Sequence, residues 1–146
     1  YIGNGNTNEW GKKYVDILNR IMNDDASVYR SEYDRGCHLE YPGGVCGHSY
    51  VDAEEFWRGL RSSMPSAVFT VEHQIGREDS HLSPRAAVRW NLKGKHDGCG
   101  IFGEPTGSDL YVMGVSHAEF GPWGLRREYT LFDETAIWKQ IIIKTG

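Results

Sequence analysis

The sequence predicts one α+β domain in which helices from the first half pack against an antiparallel sheet from the second half. The first half carries apolar residues every three or four positions, which is typical of helices that bury one face. The second half carries long segments in which apolar residues alternate with polar ones, as in strands. A length of 146 residues suits a single hydrophobic core, so we expect one domain over 1–146.

Three helices and one short strand are expected before residue 66. The apolar stripe of the first helix consists of Trp10, Tyr14, Ile17, Leu18 and Ile21. A short second helix is expected near 26–33, followed by a short strand over 37–41. Asp52 is predicted to cap the third helix, with Glu55 in capping-box register, and Pro65 ends that helix.

Long strands are expected over 67–78, 85–96, 110–120 and 125–133. The segment Gly121-Pro122-Trp123-Gly124 is predicted to form the last hairpin turn. The chain end, 135–143, fits either a closing helical turn or a last strand, and its β-branched run Ile141-Ile142-Ile143 favours a strand. Because long strands interrupted by glycine twist and coil, we expect the sheet to curve around a helix and enclose a cavity.

Composition and charge disfavour several classes of protein. The net charge is −4 and the basic residues are scattered, which disfavours a nucleic-acid partner. The chain contains no apolar run long enough to span a membrane, and its first residues do not resemble a signal peptide. The cysteines number three, an odd count that is unusual for a secreted disulfide framework, so a cytoplasmic location is expected. A Cys37–Cys46 disulfide is the alternative.

A series of short motifs runs through the second half of the chain. In order, they are Arg89-Trp90 with His96-Asp97-Gly98, then Pro105-Thr106-Gly107, then Gly114, then the segment from Leu125 to Asp133, and finally Gln140. In this order, the stretch 89–140 resembles the SnoaL-like branch of the nuclear-transport-factor-2-like superfamily. The resemblance implies a cone-shaped fold, with N-terminal helices packed in a strongly curved antiparallel sheet around a pocket. It also implies a homodimer formed through the outer face of the sheet.

The resemblance also suggests a role for one carboxylate. Polyketide cyclases of this family use an Asp near the end of the penultimate strand as an acid/base, and that position falls on Asp133. Two departures concern the pocket and the hairpin: Tyr129 replaces the usual Trp four residues before that Asp, and Pro122-Trp123 stands in the usual D-G-K turn. The superfamily also contains isomerases, hydrolases, dehydratases and non-catalytic binders, so the resemblance predicts the fold more strongly than the function.

The surroundings of Asp133 decide whether it can act in chemistry. Strand alternation places it on one face with Leu125, Arg127, Tyr129 and Leu131. If that face lines a pocket, burial would raise the pKa of Asp133 towards the range of a general base. The alternative is a cap at the end of the strand, which opens the following turn.

His117 is the second candidate for proton transfer. It shares a face with Met113 and Glu119, and an imidazole in a pocket relays protons near neutral pH. The alternative is a cross-strand contact on the solvent side, and a one-residue bulge in the hairpin would exchange the two faces. Arg127 and Glu119 are expected to pair at the surface or, in a pocket, Arg127 would orient a carboxylate.

Trp90 and His96 lie on the same face of the strand expected over 85–96. Trp90 offers a flat platform for an apolar ligand. His96 either faces that ligand or forms a structural hydrogen bond to the glycine-rich loop that follows it. The spacing Cys37-His38 with Cys46-Gly47-His48 offers metal ligands, but zinc sites usually have tighter pairs, so no metal is expected.

These residues support two functional hypotheses. In the first, the protein binds a small apolar carbonyl compound and acts as a cofactor-independent acid/base enzyme of the aldol cyclase or isomerase type. Asp133 would then carry the proton, with His117 or His96 as its helper. In the second, the same pocket belongs to a non-catalytic ligand-binding or accessory module. The expected ligand contacts are Trp90, His96, Met113, Glu119, Arg127, Tyr129 and Leu131.

Overall fold

A computed structural model describes residues 8–42, 44–78 and 83–145. The expectation about the first six residues, which concerned a signal peptide, lies outside these ranges. The helices are α1 (Asn8–Met22), α2 (Ser27–Glu32), α3 (Tyr50–Ser63) and α4 (Glu134–Thr145). The strands are β1 (Tyr33–Tyr41), β2 (Val45–Gly47), β3 (Val68–Arg77), β4 (Arg85–Lys95), β5 (Asp109–Gly121) and β6 (Gly124–Phe132). No helix in the described ranges is long and apolar enough to cross a membrane.

The strands form one six-stranded sheet in the order β2-β1-β6-β5-β4-β3. This confirms the predicted α+β class and the curved sheet around N-terminal helices. One pairing differs from the all-antiparallel expectation, because β1 lies parallel to β6. The chain passes directly from α2 into β1. Tyr33 at the start of β1 lies opposite Leu125 near the start of β6, and both strands run in the same direction from there.

The inner face of the sheet is the one covered by helices, and it carries the core. Val88, Trp90 and Leu92 point inward from β4 and are buried, whereas Arg89 on the outer face is exposed. Helix α1 crosses β3 and β4 on the inner side. The largest fully buried side chains include Trp57, Trp90, Tyr14, Phe120, Ile17 and Leu18, so the predicted apolar stripe of the first helix lies in the core.

Helix α3 begins two residues before the predicted cap. Asp52 lies in its first turn, and its Oδ2 accepts a hydrogen bond from the backbone N–H of His48 at 3.0 Å. The N-cap residue is Ser49, so the predicted cap at Asp52 was wrong, and the carboxylate instead holds the residue that precedes the cap. Strand β2 was not predicted, because three residues are too few to show a period.

The end of the chain is a helix, so the preference for a last strand was wrong. Ile137 and Ile141 lie one helical turn apart and are both buried, which the β-branched run does not reveal. The β5–β6 ladder begins only at Gly114, so the first residues of β5 have no partner in β6. Gln140 of α4 fills that gap, since its side chain accepts a hydrogen bond from Tyr111 N at 2.8 Å and donates one to Tyr111 O at 3.2 Å.

A bulge in β6 decides which residues face the core. The register passes from Phe120 opposite Leu125 to Glu119 opposite Arg127, which leaves Arg126 as an extra residue. Leu125 and Glu128 are consequently both buried, although they are three positions apart. From Arg127 onwards, every side chain of the strand lies on the face opposite to the one predicted from unbroken alternation.

Candidate functional site

A fully buried carboxylate, Glu128, occupies the centre of the inner face. Its Oε2 accepts a hydrogen bond from the hydroxyl of Tyr14 at 2.6 Å. Its Oε1 accepts three more, from the hydroxyls of Tyr33 at 2.8 Å and Tyr41 at 2.6 Å and from Nε1 of Trp57 at 3.1 Å. We call these five residues the Glu128 cluster. It joins α1, β1 and α3 to β6.

Burial governs the electrostatics of the Glu128 cluster. It raises the pKa of Glu128, while the hydrogen bonds from its four partners act in the opposite direction. Burial also raises the pKa of Tyr14 well above its usual value, so the phenol stays protonated and continues to donate. Three of the four donors meet Oε1, whereas Oε2 accepts one. The cluster therefore anchors α1, α3 and β1 to β6.

The polar network continues along the inner face to Trp90. Nε1 of Trp90 donates to Oγ of Ser116 at 3.0 Å, and that Oγ lies 2.8 Å from Oγ1 of Thr130. Gly114 leaves room for the indole, because a Cβ at this position would lie 2.2 Å from the ring of Trp90. Trp90 is completely buried, so its indole is part of the core.

A row of aromatic rings leads from the Glu128 cluster to the surface. The ring of Tyr41 stacks on that of Phe56 with centres 4.0 Å apart, and Phe56 lies 6.2 Å from Phe132. Phe102 follows, at 6.4 Å from Phe132 and 6.0 Å from Trp138. We call these five residues the aromatic row. Phe132 is half-buried and Trp138 is 41% exposed, so the row reaches solvent beside α4.

His96 borders the aromatic row and carries a buried nitrogen without a protein partner. Its ring lies edge-on to Phe102 with centres 6.2 Å apart. Nδ1 is 3.0 Å from Oγ1 of Thr106, and this hydroxyl donates onward to Oγ of Ser108. The network therefore assigns the proton of a neutral ring to Nδ1 and leaves a lone pair on Nε2. Nε2 is buried, and no described residue bonds to it.

Six of the nine predicted site residues lie on the outer face of the sheet and not on the inner face, and their role in catalysis or ligand binding stays a prediction. They are Met113, His117, Glu119, Arg127, Tyr129 and Leu131. The Arg126 bulge reverses the face in β6, and in β5 the inward positions belong to Val112, Gly114, Ser116 and Ala118. Leu131 is 68% exposed and Met113 is 53% exposed, so neither lines an interior pocket. The Glu128 cluster was not predicted, for the same reason.

Four of these residues meet in a groove on the outer face. His117, Glu119, Arg127 and Tyr129 line about 300 Å³ together with Arg85, Ala86 and Ala118. The expected pair between Glu119 and Arg127 is present, with Oε2 and Nε 3.5 Å apart. Oε1 of Glu119 also lies 3.6 Å from Nη2 of Arg126. These are surface ion pairs, which contribute little to stability.

Asp133 lies at the junction between β6 and α4. Its Oδ1 accepts a hydrogen bond from the backbone N–H of Ala136 at 3.1 Å, and its carbonyl accepts one from Ile137 N at 3.2 Å. This is the geometry of a helix N-cap. The side chain is exposed. The placement corresponds to the cap alternative, and a role of Asp133 with His117 in acid/base chemistry stays a prediction.

The residues of the cysteine and histidine motif do not all lie together, because Cys37 points to the inner face and His38 to the outer face. Cys37 is buried on the inner face, where burial raises the pKa of its thiol to about 11, while Cys46 is exposed. Neither forms a disulfide. Within the described part of the chain, no group of three or more His, Cys, Asp or Glu residues is placed to hold a metal ion.

Comparison with known proteins identifies the fold. No protein-family model matches the sequence, and no curated protein matches it. Among solved structures, a candidate SnoaL-like polyketide cyclase from Jannaschia sp. CCS1 is similar, with a TM-score of 0.71, 16% identity, and coverage of 91% of this chain and 94% of that one. AclR from Streptomyces galilaeus, a candidate hydroxylase, has a TM-score of 0.74 at 16% identity, covering 92% of this chain and 96% of that one.

A third similar structure gives the same result. IdmH from Streptomyces antibioticus, a candidate polyketide cyclase, has a TM-score of 0.72 at 13% identity, with coverage of 91% of this chain and 98% of that one. The chain therefore has the SnoaL-like fold of the nuclear-transport-factor-2-like type, as the motif series between Arg89 and Gln140 predicted.

Proposed function

We propose that this protein binds a small, largely apolar molecule with one hydrogen-bonding group, which lies against the aromatic row and pairs with Nε2 of His96. The observation that carries the proposal is that nitrogen, which is buried among aromatic rings and has no protein partner in the described residues. An unpaired buried polar atom costs about 1–3 kcal/mol, so a ligand group that pairs with it restores this free energy.

The surroundings of His96 match the usual composition of a ligand site. Such sites are mostly apolar and aromatic, with a few polar groups that fix the orientation of the ligand. The half-buried ring of Phe132 and the exposed edge of Trp138 mark the side on which a ligand would enter. Because Nε2 carries a lone pair in the assigned tautomer, the ligand group it selects is a donor such as a hydroxyl.

A pair of probes tests this site. We expect 2-naphthol to bind more tightly than naphthalene, by about fivefold to tenfold, because one hydrogen bond contributes about 1 kcal/mol. His96→Phe should abolish that preference while leaving naphthalene binding intact. His117→Phe, which alters a histidine of the outer face, is the matched control and should keep the preference. Equal affinity of the wild-type protein for both probes, measured by calorimetry, would contradict the proposal.

Acid/base catalysis is the second candidate function. It is favoured by the same fixed lone pair on His96, which is suited to remove a proton from a carbon next to a carbonyl. The predicted pair, Asp133 with His117, would act from the outer face. The solved structures with this fold are assigned both as candidate polyketide cyclases and as a candidate hydroxylase, so the fold leaves the choice open.

Exchange of acidic C–H protons separates binding from catalysis. An enzyme of this type should accelerate deuterium uptake at the α-carbon of 2-tetralone in D₂O, measured by mass spectrometry against buffer alone. Loss of the acceleration in Asp133→Asn would support the predicted pair, whereas loss only in His96→Gln would identify the inner-face base. No acceleration by the wild-type protein would favour the non-catalytic binding module.

The outer face of the sheet supports a second copy of this chain as the partner. It exposes a group of apolar side chains on the neighbouring strands β5 and β6, namely Tyr111, Met113, Val115 and Leu131. Contiguous apolar surface of this kind is typical of association sites. We expect a dimer in analytical ultracentrifugation and a monomer for Leu131→Lys, with Val45→Lys on β2 as the control. A monomeric wild-type protein would contradict this assembly.

A further inference from the structure

The hairpin of β1 and β2 brings two histidines together on the outer face. The strands are antiparallel, with Leu39 opposite Gly47 and Glu40 opposite Cys46. Side chains alternate along each strand, and Leu39 is buried, so His38 and Glu40 point outward. Cys46 is exposed on the same strand as the buried Gly47, and His48 follows as an exposed residue. The rings of His38 and His48 lie 5.3 Å apart between their centres.

We propose that His38 and His48 form a cross-strand binding site for a divalent first-row transition metal ion. Imidazole nitrogen suits nickel, copper and zinc. A metal lies about 2.1 Å from each coordinating nitrogen, hence about 3.2 Å from each ring centre, so two rings at a tetrahedral angle have centres about 5 Å apart. The observed separation of 5.3 Å agrees with that distance.

Further contacts position the ring of His38 and the backbone of His48. The ring of His38 also packs edge-on against Tyr129, with centres 6.3 Å apart. The backbone N–H of His48 donates to Oδ2 of Asp52 at 3.0 Å, which fixes the residue at the start of α3. Gly47 makes this approach feasible, because a Cβ there would lie 2.6 Å from Cβ of Asp52. The pair is therefore partly ordered before a metal arrives.

The two imidazoles are the protein ligands of this site. As the structure places the described side chains, no third His, Cys, Asp or Glu completes a group with them, so water fills the other positions. Cys37, which the sequence spacing had grouped with His38, is excluded because it is buried on the opposite face of the sheet. The site lies apart from His96 and the aromatic row, so the inference does not rest on the proposed ligand.

Nickel titration by calorimetry tests the site, with full-length protein that carries no histidine tag. Cys46→Ser and Cys99→Ser form the parent background, because these two exposed thiols would otherwise bind or react with metals. Ni²⁺ should bind to this parent at one ion per chain. His38→Asn and His48→Asn should each abolish the binding, while circular dichroism confirms that both variants fold.

His73→Asn is the control, since this histidine is exposed on β3 at the far edge of the sheet. It should bind Ni²⁺ as the parent does. The inference is overturned if the parent binds no Ni²⁺, if either His38→Asn or His48→Asn binds it normally, or if the His73 variant loses it. It is also overturned if the wild-type chain binds and the Cys46→Ser parent does not, since a thiol would then be a required ligand.

Discussion

The hydroxyl of Tyr14 lies 2.6 Å from Oε2 of Glu128, and this hydrogen bond ties the first helix to the last strand through the centre of the core. Both residues are completely buried. Hydrogen bonds to charged groups contribute about 1.5–3 kcal/mol each, and an unpaired buried acceptor costs more than an exposed one. One side chain, that of Glu128, therefore helps to fix the positions of α1 and α3 on the sheet.

Removal of the Tyr14 hydroxyl should weaken the fold. Tyr14→Phe leaves Oε2 of Glu128 without its donor, so we expect the free energy of unfolding to fall by about 2 kcal/mol in urea denaturation. Tyr111→Phe is the control, because this tyrosine is exposed on the outer face and its change should stay within about 0.5 kcal/mol. Equal losses in the two variants would show that the buried hydrogen bond adds nothing.

The buried carboxylate should also make stability depend on pH. Burial raises the pKa of Glu128 above its usual 4.5, so the folded state binds this proton more readily than the unfolded state does. Stability then falls as the pH rises from about 4.5 through the folded-state pKa. Glu128→Gln cannot titrate at this position. The stability of wild type relative to Glu128→Gln should therefore be greatest at and below about pH 4.5 and decline as the pH rises through the folded-state pKa.

Urea denaturation of both proteins at several pH values measures this difference. Other titrating groups contribute equally to the two proteins and cancel in the comparison. A difference that stays constant would show that the four hydrogen bonds cancel the effect of burial, and one that grows in favour of wild type as the pH rises would show that they outweigh it.

The parts of the fold that were predictable from sequence are those with a full local period. Helix α1 shows its stripe from Trp10 to Ile21, and β4 and β5 alternate over their whole lengths. Helix α4 was misassigned, because its local signal is a β-branched run while the interaction that places it is distant in sequence. Gln140 fills the unpaired edge of β5 at Tyr111, which no local pattern discloses.

The Glu128 cluster was not predictable from the sequence because of one extra residue in β6. Counted with strict alternation, Glu128 falls on the face opposite to Leu125, and only the extra residue Arg126 turns both inward. The bulge follows a turn that closes at Gly124, where φ is 119° and where the backbone oxygen of Glu32 would lie 2.5 Å from an added Cβ. Glu32 and Gly124 are far apart in the chain, so their close approach, and with it the position of the bulge, follows from tertiary packing.

A methyl group at Gly114 should disturb the packing of the Trp90 indole. The added Cβ would lie 2.2 Å from the ring of Trp90, so Gly114→Ala should lower the free energy of unfolding by about 1–3 kcal/mol and change the near-ultraviolet circular dichroism of the indole. Gly36→Ala is the matched control, since the nearest atom to its added Cβ is 3.9 Å away. An unchanged spectrum and an equal loss in both variants would contradict this packing.

Two substitutions at Asp133 separate its cap from any proton transfer. Asp133→Ala removes the acceptor for Ala136 N, so it should lower the free energy of unfolding by about 1 kcal/mol and speed hydrogen exchange at that amide. Asp133→Asn keeps a capping oxygen but cannot exchange a proton, and it should be nearly as stable as wild type. If both variants were equally destabilised, the charge and not the cap would be what α4 requires. If Asp133→Asn stays stable, its effect on deuterium uptake by 2-tetralone reports on chemistry alone.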